Sequence, residues 1–96
     1  MLSLGATVKA SRDQVSCELG QDAAILHLGS GVYYTLNPVG ARVWAIVQQP
    51  VALRQLRETL LAEYDVTPDR LDQDLGSLLD DLLSQGLIEI LHTPSS

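Results

Sequence analysis

The sequence predicts an α+β domain in which strands come first and helices follow. Two observations carry this: a β-type alternation that runs through the first third, and an abrupt change to helical period at Asn37-Pro38. A third is that the three helical stretches after that point each carry one apolar stripe, so each needs a surface to pack against. Three amphipathic helices with a β-hairpin make the outline of a winged helix-turn-helix, here with an N-terminal three-stranded antiparallel sheet ahead of the helices.

Val15-Ser16-Cys17-Glu18-Leu19 alternates, with Val15, Cys17 and Leu19 on one face. That company reads Cys17 as a small buried hydrophobe. Gly20-Gln21-Asp22 is turn material. Residues 23–28 (AAILHL) are apolar on both faces, as expected of a central strand covered on two sides. Gly29-Ser30-Gly31 closes a hairpin, and Val32-Tyr33-Tyr34-Thr35-Leu36 is almost entirely β-forming. Of the two tyrosines, one falls to the core and one to the surface. Residues 6–9 (ATVK) suit a further short strand.

Asn37 is a good N-cap and Pro38 a favoured first helical residue. Val39, Val43, Ile46 and Val47 share one stripe with Trp44 on its flank, and Pro50 ends the helix. A second helix fits residues 53–64 through Leu53, Leu56, Leu60, Leu61 and Tyr64. Thr67-Pro68 repeats the cap-and-proline signal, with Asp69 in the first turn where the helix dipole favours it. The third helix, 68–85, carries Leu71, Leu75, Leu78, Leu79 and Leu82, with Leu83 at the edge, and Gly86 terminates it. Residues 87–91 (LIEIL) form a short closing strand, and the tail from His92 to Ser96 is expected to fray.

The chain has 96 residues, which fits one domain over 1–96 with a core of about 13–91. Hydrophobic residues make up 46% and charged residues 19%, a globular composition, with mean hydropathy +0.13. Six basic residues against twelve acidic give a net charge of −6 and a pI near 4.5. That opposes a generic nucleic-acid or anionic-membrane binder, which needs a basic footprint. A single Cys17 excludes a disulfide framework, and no apolar run reaches the length of a membrane span. The start, MLSLGATVKAS, does not read as a signal peptide, so a cytoplasmic location is expected.

Catalytic and metal chemistry is thinly represented. His27, His92 and Cys17 are the groups suited to neutral-pH chemistry, and no two have chelating spacing. A Cys17–His27 nucleophile pair across neighbouring strands lacks a third, orienting group. Asp72 and Asp74 lie about 200° apart on a helix, and Asp80 and Asp81 about 100° apart, so neither pair converges on one ion. No enzyme, no cofactor and no metal are expected. A DNA reader is opposed by the third helix itself, which sets Asp69, Asp72, Asp74, Asp80 and Asp81 against Arg70, a net −4.

What the fold offers instead is a cleft between the VYYTL strand and the leucine face of the third helix. If that strand is a sheet edge, its free N–H and C=O groups can accept an extended peptide. The stretch GVYYTLNPVGARVW (31–44) adds a more particular signal. With Leu53…Leu56…Leu60…Tyr64 and Leu71…Leu75…Leu78-Leu79…Leu82…Gly86-Leu87-Ile88 it resembles the PqqD family, over roughly residues 13–91. The strand, the Leu-Asn turn and the helix with an aromatic at Trp44 are its most specific part. These are leader-recognition domains for ribosomally synthesised, modified peptides, and a chain of this length is most similar to the stand-alone lasso-peptide version.

The resemblance implies a non-enzymatic protein that binds the leader of a precursor peptide by strand addition. It also implies partners: a leader peptidase and an ATP-dependent lasso cyclase, with neither nucleic acid nor membrane involved. Carried over by position, the acceptor strand is Val32, Tyr33, Tyr34, Thr35 and Leu36, and the cleft wall is Leu71, Asp74, Leu75 and Leu78. Asp74 and Asp81 flank the leucine stripe on one side and Asp72 on the other. The tyrosines and the acidic helix suggest a leader with an aromatic anchor and some positive charge. A winged-helix transcriptional regulator, or an adaptor subunit of another peptide-modifying enzyme, is the alternative class.

Overall fold

A computed structural model of the chain describes residues 5–91. Among these, the chain order is β1 (Thr7–Ala10), β2 (Gln14–Leu19), β3 (Asp22–His27), β4 (Tyr33–Leu36), α1 (Pro38–Ile46), β5 (Val51–Ala52), α2 (Leu53–Glu63), α3 (Pro68–Ser84) and β6 (Ile88–Leu91). The α+β winged-helix architecture expected from the sequence is present, with β2, β3 and β4 as the three-stranded antiparallel sheet and the three helices after it. The tail from His92 onward lies outside the described residues.

A second three-stranded sheet, in the order β5–β1–β6, was legible only in part. β1 is the N-terminal strand expected near residues 6–9, and it pairs antiparallel with the closing strand β6 rather than joining β2. β5 is two residues long, Val51 and Ala52 opposite Val8 and Thr7. Two residues are too few for any periodicity to register. α1 is shorter than the pattern predicts. It stops at Ile46, Val47 caps it by donating its N–H to the Val43 carbonyl, and the Gln48 side chain donates to the Trp44 carbonyl at 2.9 Å. Pro50 keeps Gln49 out of helical geometry beyond that point.

The caps anticipated from sequence form. Asn37 Oδ1 accepts from the Gly40 N–H at 2.8 Å, and Thr67 Oγ1 accepts from the Arg70 N–H at 3.3 Å. α3 ends in a Schellman arrangement, the Leu87 N–H donating to the Leu82 carbonyl and the Gly86 N–H to the Leu83 carbonyl. One core joins all layers: Val8 and Ile88 from one sheet, Ala23, Ile25 and Leu36 from the other, and Val43, Trp44, Val47, Leu56, Leu60, Leu75, Leu79 and Leu82 from the helices.

The covered face of the β2–β3–β4 sheet is the one bearing Ala23, Ile25 and Leu36, all buried. This corrects the expectation that Val15, Cys17 and Leu19 point inward. Val15 and Leu19 are 53% and 57% exposed, and Cys17 is exposed as well. The register explains it: Val15 stands opposite Leu26 and Cys17 opposite Ala24, on the side of the sheet away from the helices. β3 is central as expected, yet among the described residues no second layer of strand or helix covers that outer side: Ala24 is buried there, but Leu26 is half-buried and Leu28 exposed.

The same register separates Cys17 from His27. Cys17 is level with Ala24 on the outer face, whereas His27 pairs with Gln14 and shares the inner side with Ile25. The two cannot form a nucleophile and base. His27 instead holds the β3–β4 turn, its Nδ1 accepting from the Ser30 N–H at 3.1 Å.

Candidate functional site

β4 is bonded on one side only. Its sole strand partner among the described residues is β3, in the register Ala23↔Leu36, Ala24↔Thr35, Ile25↔Tyr34 and Leu26↔Tyr33. The phase of the ladder follows from the turn. The His27 N–H donates to the Val32 carbonyl and the Gly31 N–H donates to the His27 carbonyl, so two residues oppose one. Gly31, at φ +72°, makes that bulge without steric conflict.

In an antiparallel pair, hydrogen-bonded and non-bonded positions alternate. With His27 bonded toward β4, Ile25 and Ala23 are bonded toward β4 too, and so are their partners Tyr34 and Leu36. Tyr33 and Thr35 therefore aim their N–H and C=O groups at the open side. The bond from the Leu28 N–H to the Asp13 carbonyl gives β3 the complementary phase toward β2. Of the five residues expected as a peptide acceptor, Val32 precedes the strand and gives its carbonyl to His27. Tyr34 and Leu36 hold the strand in place, and Tyr33 and Thr35 offer the edge.

Side chains divide by the same alternation. Tyr33 stands 70% exposed on the outer face, Tyr34 is half-buried on the inner face, and Leu36 is buried in the core, so one tyrosine goes each way as expected. Burial raises the Tyr34 hydroxyl above the ordinary phenol pKa, and the negative charge of the nearby Asp81 carboxylate raises it further.

α3 runs antiparallel to β4, as three proximities in sequence show. Near the start of α3, Leu71, Asp74, Leu75 and Leu78 line a cavity of about 370 Å³ together with Asn37, the residue after β4. One turn further, Asp81 meets Tyr34. Just past the helix, a β-carbon on Gly86 would stand 3.3 Å from Nε2 of His27, the residue bonded to Val32. All four helix residues expected as the cleft wall thus converge on one concavity.

The sequence did not reveal the rest of that lining: Val39, Gly40 and Val43 from α1 and Leu60 from α2. Gly40 was the available signal. A β-carbon there would come within 3.3 Å of both the Leu36 and Asn37 side chains, so any larger residue would press on the end of the strand where α1 begins. Asp81 was recognisable as lying seven residues after Asp74, on the same helix side.

The acidic helix is partly neutralised by its own protein. Asp72 faces α2, where Arg57 holds it through both Nε and, at 3.3 Å, Nη2. Asp74, at the cavity rim, meets Arg70 at 3.2 Å one turn back. Among the described residues, no group of three or more His, Cys, Asp or Glu could hold a metal, and no helix is long and apolar enough to cross a membrane.

The structure is thus a winged-helix domain with one open strand edge near a helix-lined cavity, the geometry that strand addition of an extended chain requires. Comparison with known proteins gives that class a family. Residues 22–88 match the family described as Coenzyme PQQ synthesis protein D (PqqD), and the chain belongs to it, as the resemblance in its sequence implied. Among solved structures, "TbiB1 in Complex with the TbiA(beta) Leader Peptide" is similar at 30% identity with a TM-score of 0.78, over 84% of this chain and 94% of that one. Among curated proteins, none matches.

Proposed function

We propose that the protein captures the leader segment of a precursor peptide as an added strand on β4, beside α3, and contributes no catalytic group. The open edge at Tyr33 and Thr35, set against the α3 cavity, is the observation that carries this reading. The structural similarity to a protein solved with a leader peptide supports it. Backbone bonds to the edge would supply affinity with little sequence preference, and the cavity would hold one anchoring side chain.

The captured leader is then delivered to a leader peptidase and a lasso cyclase. Tethering raises the local concentration of the attached core peptide toward the millimolar range for short linkers, so delivery needs no chemistry from this chain. Titration with a precursor leader, followed by amide NMR, tests the capture step. The Tyr33 and Thr35 amides are expected to shift and gain protection from exchange, with smaller changes at Tyr34 and Leu36. Shifts confined to other surfaces would reject strand addition. For delivery, the rate of leader removal by the peptidase should rise when the protein is added and fall back when β4 is blocked.

A further inference from the structure

The groove contains a carboxylate that no cation among the described residues answers. On α3, Asp72 is bonded by Arg57 and Asp74 by Arg70, but among the described residues Asp81 has no ion-pair partner. Its neighbour is the Tyr34 hydroxyl, which carries no positive charge. Asp81 stands on the same side of α3 as the cavity residue Asp74, seven residues on, and one turn beyond Leu78.

The spacing matches that of a strand. Asp81 lies three residues past Leu78 and six past Leu75, which at 1.5 Å per residue is about 4.5 to 9 Å along the helix. Side chains on one face of a strand repeat about every 6.6 Å. A peptide paired to the β4 edge that drops one side chain into the cavity therefore brings its next same-face side chain level with Asp81. The chain's net charge of −6 would also draw a cationic peptide toward it.

Building on the strand-addition reading, we infer that the groove selects leaders carrying a bulky apolar residue and, two positions away on the same face, a lysine or arginine. The apolar residue fills the cavity lined by Val39, Val43, Leu71, Leu75 and Leu78. The cation donates to Asp81. The residue between them points to the outer face and is unconstrained by the groove.

Fluorescein-labelled twelve-residue peptides test this directly. Each holds one leucine in a threonine- and glutamine-rich background, with arginine placed one or two positions to either side, or replaced by glutamine. Anisotropy titration should show one of the two-position peptides binding about two- to fivefold tighter than its glutamine control, as for an exposed ion pair. The one-position peptides should match the control. Asp81→Asn should abolish the arginine advantage, and Asp81→Lys should transfer it to a peptide with glutamate at that position. Asp81 is exposed, so both variants are expected to fold.

An arginine advantage that survives in Asp81→Asn overturns the inference. So does equal binding of arginine and glutamine peptides that both shift the Tyr33 and Thr35 amides, an outcome that leaves strand capture standing. If no peptide in the panel shifts those amides, strand capture and the selectivity built on it fail together.

Discussion

Replacing Thr35 by proline separates the two sides of β4. Thr35 pairs with Ala24 at a non-bonded position, so its N–H faces the open edge and takes no part in the ladder with β3. Proline removes that donor, and edge strands tolerate proline where the N–H faces solvent. The fold should therefore be kept. Binding should not: one backbone bond contributes about 0.5–1.5 kcal/mol, and the ring leaves the incoming strand's carbonyl unpaired at a further cost of about 1–3 kcal/mol if shielded. A net loss of about 2 kcal/mol is some thirtyfold in Kd.

Tyr34→Pro is the counterpart. Tyr34 is bonded to Ile25, so this change breaks the internal ladder and should lower stability by about 1–3 kcal/mol. Urea unfolding followed by circular dichroism, together with leader titration by anisotropy, reads both effects. A Thr35→Pro protein that unfolds like the parent and binds a leader with unchanged Kd would refute the edge assignment. So would a Thr35→Pro protein that unfolds as readily as Tyr34→Pro, because the ladder phase would then be inverted.

Two further outcomes test the scaffold. Leu79 is 1% exposed at the centre of the core, so Leu79→Ala should cost about 2–5 kcal/mol in urea unfolding, a large share of the stability of a domain this size. Glu63 accepts from Arg42 Nε and Nη2 at 2.8 and 2.7 Å, tying the end of α2 to α1, and this bond holds its carboxyl below the ordinary glutamate pKa. The depressed folded-state value means the contribution is present above the unfolded pKa of about 4.3 and is lost as pH falls through the folded value. The stability difference between parent and Glu63→Gln should thus be small at pH 7, as for an exposed pair, and smaller at pH 3, below the unfolded pKa. A difference unchanged at pH 3 would refute the assignment.

The sequence by itself determined the order of the elements apart from β5, the caps and the leucine stripe. Those signals are local: Asn37-Pro38 and Thr67-Pro68 start helices through neighbours three residues away, and Gly86 ends one through bonds back to Leu82 and Leu83. It also placed Leu71, Asp74, Leu75 and Leu78 on one side of one helix, because helical period alone does that. Only the tertiary structure decided which side of the sheet would be dry. Alternation in β2 announces two faces and is silent on which one the helices cover, so Val15, Cys17 and Leu19 were assigned inward and stand outward. Long-range packing likewise set the second sheet, the α1 and α2 share of the cavity, and the meeting of Tyr34 with Asp81. The phase of β4 came from the bulge at Gly31, where a one-residue change would turn Tyr34 and Leu36 to the edge in place of Tyr33 and Thr35.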